Sequence, residues 1–285
     1  MSRLSLGDLP MPPRCYRIDL MPDSRFETEA EAQKEDETRA RRLRNYLGRP
    51  SSEQAACTRL AGVILGSDTD DHRSLASAVV MRLHRIKITG GLWPLCQRER
   101  TYFVTLIPRG FSVTPDELMG IDPTKKNQWL RMTLARLGAK SDTDGWIYAY
   151  LEGEYNPVTG MIQLHWHLIM THSAMRKVIE QLREHSAFKR TIGACNNSDR
   201  VDVRVMVKQV DQDTLPEIVS YATKAAWYSK WRADDETGAR KSQKGKCRIP
   251  EPALSKVLLW LDRWRVGDMT MLLNLHVTKN GIAPR

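Results

Sequence analysis

Cysteine is scarce in this chain and follows no metal-binding spacing. The 285 residues include five cysteines, an odd number, and no two of them form a Cys-x-x-Cys pair. A disulfide framework needs cysteines in pairs, and a zinc ribbon needs closely spaced pairs of thiolates. The composition therefore argues against both classes. It suits a reducing compartment, and we expect a cytoplasmic protein.

Long hydrophobic runs are also missing. No apolar stretch approaches the roughly 20 residues that cross a bilayer, so we expect no membrane partner. The N-terminus lacks the charged-then-apolar pattern of a secretory signal. Hydrophobic residues still make up 41% of the chain, which suffices for a core. The length allows one large domain or two small ones.

Positive charge is in excess. The chain carries 44 Lys and Arg against 34 Asp and Glu, a net charge of +10. This balance favours a phosphate-bearing partner such as nucleic acid. A short basic run in a predicted loop contains Lys241, Lys244, Lys246 and Arg248. We expect it either to contact a DNA backbone or to be only a solvated loop.

The segment 164–170, Leu-His-Trp-His-Leu-Ile-Met, is typical of a buried strand. Residues two apart on a strand share a face, so His165 and His167 point one way and Trp166 points the other. Two neutral imidazoles side by side are a pair of potential metal ligands. The pattern alone also fits two histidines that are merely satisfied within a core.

A second strand, over 148–155, precedes the histidines, and turn-forming residues at 156–160 predict a hairpin. Antiparallel pairing about this turn places Glu152 opposite His165 or close to it. The carboxylate and the two imidazoles would give three ligands with open positions, suited to Mg²⁺ or Mn²⁺ and possible for Zn²⁺. Glu154 has the same parity and is a rival ligand, although we favour a solvated polar role for it.

Downstream, the sequence predicts a helix over 214–228, because Thr214 and Glu217 have the spacing of a capping box. Four polar residues recur along it at spacings of four, three and four, so they form one stripe. These residues are Glu217, Tyr221, Lys224 and Tyr228. The alternative is an ordinary amphipathic helix on which Glu217 only caps and Lys224 is a surface lysine.

Together these patterns resemble the HUH endonucleases, most closely the rolling-circle replication initiators of plasmids. The His-hydrophobic-His strand matches His165-Trp166-His167, and the Tyr-x-x-Lys helix matches Tyr221-Ala222-Thr223-Lys224. The strand 102–106, Tyr-Phe-Val-Thr-Leu, is similar to the family's first motif, although Ile-Pro follows it here. The segment 151–157 also resembles the one before the histidine motif. The resemblance covers about 98–232, with all three motifs in order.

The resemblance implies a chemistry. A divalent metal on His165, His167 and Glu152 would bind the scissile phosphate, and Tyr221 would attack it, leaving a 5′-phosphotyrosine and a free 3′-hydroxyl. Lys224 would contact the phosphate or favour the phenolate. For the second cleavage, Glu217 would activate water, with Tyr228 as the alternative. Expected partners are single-stranded DNA or an origin hairpin and a host helicase.

Other functions share the same motifs. A plasmid mobilisation relaxase or a single-strand transposase would use the same chemistry. A DNA-binding regulator would have the fold without nuclease activity, and an ordinary metal hydrolase would use the histidines without the tyrosine. The order of the motifs and the long N-terminal region favour a replication initiator.

The chain divides into three predicted regions: a mainly helical region 1–95 of unknown role, the endonuclease domain 96–232, and a region 233–285 with a basic loop and a helix that packs on the core. Alternating strands and helices in the centre predict an α+β domain with an antiparallel sheet. The resemblance implies a ferredoxin-like or palm-like sheet. Helices are predicted over 26–46, 51–65, 74–88, 129–137, 174–184 and 252–264, and a strand over 202–209.

Overall fold

The structure, a computed structural model, describes most of the chain. The described residues are 4–22, 24–45, 50–66, 74–139, 145–189, 191–192, 201–224, 227–230, 232–234, 240–242 and 247–285. They form eight α-helices. The helices are α1 Glu29–Asn45, α2 Ser51–Ile64, α3 Ala78–Arg98, α4 Pro115–Leu118, α5 Pro123–Arg136, α6 His172–Glu184, α7 Leu215–Tyr221 and α8 Ala253–Asp262.

The same residues form twelve strands. They are β1 Thr101–Leu106, β2 Ser112–Val113, β3 Ile147–Asn156, β4 Met161–Thr171, β5 Thr191–Ile192, β6 Val201–Asp202, β7 Val205–Gln209, β8 Arg232–Asp234, β9 Arg240–Ser242, β10 Thr270–Leu273, β11 Leu275–Thr278 and β12 Gly281–Pro284. Six of them make one antiparallel sheet in the order β10-β3-β4-β1-β7, with β2 also paired to β4. The prediction of an α+β fold around an antiparallel sheet is therefore confirmed, with β4 at the sheet's centre.

The predicted helices agree with the structure except in extent. The helix predicted over 26–46 begins only at Glu29, because Thr28 and Glu31 form a capping box before it. It is not simply exposed: Ala40 and Leu43 are buried in the core, and the Asp36 carboxylate accepts hydrogen bonds from the start of α3. Region 1–95 is thus tied together by apolar packing and by a buried capping carboxylate.

Helix α3 extends beyond its predicted end at Ile88, which was placed before the pair Gly90 and Gly91. It continues through Pro94 to Arg98. A Cβ on Gly90 would lie 2.3 Å from the Cβ of Pro12, so the glycine allows the N-terminal segment to pack directly on the helix. The predicted stop was wrong because tertiary packing outweighs the helix propensity of glycine, which costs about 1 kcal/mol.

Helix α7 is shorter than predicted. It ends at Tyr221 instead of 228. Beyond it, residues 227–230 lie beside β3, where the Tyr155 N–H donates to the Tyr228 carbonyl at 3.0 Å. The polar stripe therefore does not lie on one helix, and Lys224 and Tyr228 are positioned by the segment after it.

The three predicted regions share one hydrophobic core. Helix α3 packs on α7 and β12, and β10 from the C-terminal region completes the sheet beside β3. Within the part of the chain described, no helix is both long and apolar enough to cross a membrane. The central sheet thus carries helices contributed from both ends of the chain.

Candidate metal centre and its tyrosine

The hairpin of β3 and β4 sets the register of the candidate site. The Asn156 side chain accepts a hydrogen bond from the Val158 N–H at 3.0 Å, and Gly160 adopts a φ of +69° that favours glycine. This turn pairs Glu152 with His165. The predicted pairing is confirmed, and it follows from turn chemistry that is readable in the sequence.

Glu152, His165 and His167 form a compact, buried cluster. Their potential ligand atoms lie within 4.8 Å of one another. Glu152 Oε1 is 2.9 Å from His165 Nε2 and 3.2 Å from His167 Nε2. The three residues are between 3% and 5% exposed. A carboxylate and two imidazoles at these separations could hold a metal ion.

The outer nitrogen of each imidazole has its own partner. His165 Nδ1 donates to the Gln163 carbonyl at 3.1 Å, since a carbonyl can only accept. His167 Nδ1 lies 3.0 Å from Thr105 Oγ1, on the neighbouring strand β1. Burial lowers the pKa of His167 in spite of the adjacent Glu152 carboxylate. Such partners direct the Nε2 atoms inward in the manner of metal-binding histidines.

Two features of the cluster fit a bound cation. In a neutral His165 that donates through Nδ1, the Nε2 lone pair faces Glu152 Oε1 at 2.9 Å. Two lone pairs at that distance repel unless a proton or a metal ion lies on the nitrogen. In addition, Glu152 Oε2 is buried and has no hydrogen-bond partner among the described residues. A bound metal ion would coordinate a lone pair of this oxygen.

Glu154, the rival ligand, lies outside the cluster. Its carboxylate forms an ion pair with Lys230, in the extended segment after α7. Glu154 is on the same strand as Glu152, but it is not among the three clustered ligands found in the described residues. The solvated polar role favoured for it agrees with this placement.

Lys224 contacts the cluster directly. Its Nζ donates to Glu152 Oε1 at 2.7 Å and lies 3.3 Å from His167 Nε2. Burial acts to lower the pKa of Lys224, but the Glu152 carboxylate raises it above its usual value. Burial likewise acts to raise the pKa of Glu152, but His167, Lys224 and His165 hold it well below its usual range. The ammonium and the carboxylate therefore form a partly buried ion pair.

Tyr221 lies beside the cluster, at the end of α7. Its ring centroid is 5.4 Å from that of His167 and 5.7 Å from that of Phe103. Lys224 Nζ lies 4.3 Å from the Tyr221 ring centroid. The residue is 45% exposed although its neighbours in the cluster are buried. The phenol is therefore accessible to a large substrate while it remains next to the candidate metal ligands.

Glu217 and Tyr228 occupy different elements but line the same cavity as Tyr221 and Lys224. Glu217 is exposed in the first turn of α7. The predicted capping box is wrong: Thr214 makes no side-chain cap, because it belongs to a preceding 3₁₀ turn that Asp211 caps. The capping-box explanation for Glu217 is thereby removed. Burial raises the pKa of Tyr228.

Of the predicted DNA-contacting residues, Arg248 alone has a described side chain, and it lines the cavity that Tyr221 and Lys224 also line. Lys241 belongs to β9, where only the backbone is described, and Lys244 and Lys246 lie outside the described residues. Arg248 is described and forms an ion pair with Glu35 of α1, at 2.5 Å. A role for these residues in binding DNA stays a prediction.

Two residues near the site were not identified as functional from the sequence. The Thr105 hydroxyl holds the His167 ring in place. Thr105 lies two residues from Phe103 on β1, so both side chains share the face that contacts His167, and strand alternation could have predicted this contact. Arg85 of α3 donates through Nε to the Ser220 carbonyl at 3.4 Å, one residue before Tyr221. No sequence pattern brings Arg85 to this position, because it lies 135 residues away along the chain.

Comparison with models of known protein families, with curated proteins and with solved structures gives no match for this chain. The geometry of the cluster and of Tyr221 is therefore the basis for any functional conclusion.

Proposed function

We propose that the protein is a rolling-circle replication initiator of the HUH type, which nicks and rejoins single-stranded DNA through a tyrosine. One observation carries the proposal: the exposed phenol of Tyr221 lies beside a buried Glu-His-His cluster, with Lys224 between them. A core histidine pair would not require an accessible tyrosine at its edge. The order of the motifs along the chain supports replication over mobilisation or transposition.

The sheet supports the same proposal. Both histidines lie on β4, the central strand, with β3 on one side and β1 on the other. We propose that this is the palm-like sheet of the HUH family. The Thr-Leu motif on β1 would then act through Thr105, whose hydroxyl orients His167.

The chemistry follows from the residues in place. Glu152, His165 and His167 would hold a divalent ion, Mg²⁺ or Mn²⁺, which binds the scissile phosphate and offsets negative charge in the transition state. The Tyr221 oxygen attacks phosphorus, so a P–O bond to tyrosine forms while the bond to the 3′ oxygen breaks. The phenol gives up one proton to solvent and the leaving 3′ oxygen takes up one proton to become a hydroxyl, so the step consumes no net proton. The phosphodiester energy is kept in the phosphotyrosine, which allows rejoining.

Glu217 is the candidate for the second cleavage, in which it activates a water molecule. It lines the cavity beside Tyr221 and has no capping role to explain its presence. Glu217→Gln should leave the first cleavage intact and slow the release of protein from DNA. Normal turnover by this variant would shift the role to Tyr228.

A denaturing gel tests the proposal. The protein is incubated with labelled single-stranded oligonucleotides and Mn²⁺, and a band shifted by the mass of the protein is the expected covalent adduct. Tyr221→Phe should abolish the adduct, whereas the matched variant Tyr228→Phe, in the same cavity, should keep it. Chelation of the metal should also abolish it.

Other outcomes identify the alternatives. An adduct retained in Tyr221→Phe would overturn the assignment of the nucleophile. Metal-dependent cleavage with no adduct would favour an ordinary metal hydrolase that uses the same cluster. DNA binding without cleavage would indicate a regulator. A host helicase and an origin hairpin are the partners that this proposal implies, and an outcome that refutes the proposal removes the reason to expect them.

A further inference from the structure

A large cavity opens beside Tyr221, between the N-terminal region 1–95 and the residues around Tyr221. Its volume is about 720 Å³, within the range of pockets that bind small molecules. Tyr221, Lys224 and Glu217 line one part of it, and the apolar side chains Leu254 and Leu258 of α8 line another. The cavity therefore joins a charged surface at the phenol to an apolar wall.

Arg85, on α3, is one of the arginines that line this cavity, and it contacts the helix that carries Tyr221. Its Nε contacts the Ser220 carbonyl, and its Nη1 forms an ion pair with Glu27. The guanidinium lies 4.5 Å from the centroid of the Phe26 ring. Its side chain is 12% exposed, so it is held in place at the cavity wall next to the nucleophile helix.

We infer that this cavity binds the nucleotide that flanks the phosphate attacked by Tyr221, and that Arg85 binds a phosphate of that nucleotide in exchange for Glu27. The inference rests on the proposed function for the identity of the ligand. A base is flat and largely apolar on its faces, and it fits against the wall formed by α8 and Trp227. A phosphate matches the planar donors of a guanidinium.

Glu27 is the counter-ion that the phosphate replaces. In the structure its carboxylate engages Arg85, as a phosphate oxygen would. Glu27 precedes α1 in an extended segment, and its backbone carbonyl accepts from Arg82 Nε at 2.9 Å. The segment can stay anchored through Arg82 while the Glu27 carboxylate releases Arg85.

The test uses two variants that break the same ion pair. Binding of a fluorescein-labelled mixed-sequence 20-nucleotide single strand is measured by anisotropy in EDTA, so that no cleavage is needed. Arg85→Gln should weaken binding about tenfold, which corresponds to one charged hydrogen bond. It should also reduce the slope of log affinity against log salt concentration by about 0.7, the value for one contact to a single strand. Glu27→Gln should strengthen binding severalfold.

If Arg85 contacts the ligand, the affinity should fall in Arg85→Gln and rise in Glu27→Gln. If the ion pair were purely structural, both substitutions should change the affinity in the same direction. Arg59→Gln is the matched control. Arg59, on α2, also forms an ion pair, with Asp262 at 2.5 Å, but it is not a cavity residue. Its loss should leave the salt slope unchanged. Weaker binding by Glu27→Gln, or an unchanged slope in Arg85→Gln, would overturn the inference.

Photo-crosslinking locates the base. Strands that carry 5-iododeoxyuridine are irradiated with the protein, and the crosslinked peptides are identified by mass spectrometry. Crosslinks to Phe26, Trp227 or Tyr228 are expected, and crosslinks confined to residues outside the cavity would overturn it. The adduct assay is scored separately. If the adduct forms but DNA binding does not depend on Arg85, only the nucleotide-binding role of the cavity is refuted. If binding depends on Arg85 but no adduct forms, only the proposed nuclease activity is refuted.

Discussion

Substitution of Lys224 by methionine should make the candidate centre bind metal more tightly. The ammonium lies 2.7 Å from Glu152 Oε1 and 3.3 Å from His167 Nε2, two of the atoms that would ligate a metal. A metal ion on His167 Nε2 must displace the ammonium, because that nitrogen has a single lone pair, and the repelled ammonium then loses its hydrogen bond to Glu152 Oε1. Methionine keeps most of the side-chain length and apolar packing but removes the competing charge.

The magnitude follows from the contact that metal binding breaks in the wild type. A hydrogen bond between charged groups contributes about 1.5–3 kcal/mol. Since 1.4 kcal/mol corresponds to a factor of ten, the affinity for Mn²⁺ should rise by about ten- to a hundredfold in Lys224→Met. The metal-free variant should also be less stable, because Glu152 remains buried without its ammonium, and it should gain more stability from Mn²⁺ than the wild type does.

Isothermal titration with Mn²⁺ measures the affinity, and thermal unfolding with and without Mn²⁺ measures the stability. Lys230→Met is the matched control, since Lys230 pairs with Glu154 on the same strand but outside the cluster. It should not alter the affinity. An affinity that is unchanged or lower in Lys224→Met would refute the reasoning, because the lysine would then support the ion instead of competing with it.

Two further predictions concern stability. Gly153→Ala should destabilise the fold by about 1–3 kcal/mol in urea unfolding, because the added Cβ would lie 2.5 Å from the Trp227 ring, whereas Gly62→Ala, with open space around it, should not destabilise. His84 is the second case: burial lowers its pKa to about 4, so it stays neutral in the folded protein while the unfolded chain takes up a proton below about pH 6.5. Stability should therefore fall between pH 6.5 and 4, by at most about 3 kcal/mol from this group. His84→Gln should show a shallower decline, and parallel pH profiles would contradict the assignment.

The sequence predicted the centre of the site because its determinants are local. A turn of known chemistry fixes which residue of β3 faces His165, and strand alternation places both histidines on one face. The turn and the alternation need only residues that are close along the chain. Tyr221 was identified through the resemblance of its Tyr-x-x-Lys motif, and its place beside His167 depends on distant packing.

The misplaced elements depend on distant contacts. Helix α7 stops at Tyr221 because the following segment pairs with β3 at Tyr155, and Gly153 leaves room for the Trp227 ring there. Helix α3 passes its glycines because Pro12 packs against Gly90 and Ile282 packs against Gly91. The role of Arg85 could likewise not be predicted, because its partners Glu27 and Ser220 lie in distant parts of the chain.

The alternation along β4 has a consequence for folding fidelity. Trp166 is fully buried on one face, where its indole donates to Asn127, while the histidines occupy the other. A slip of one residue in pairing would move that indole to the face of Glu152 and drive both imidazoles into the apolar layer. Misaligned chains would lose the packing of Trp166 against Phe111 and Trp129 together with the metal ligands. Selection for a well-packed interior would thus preserve the arrangement of the reactive groups, even in the absence of substrate.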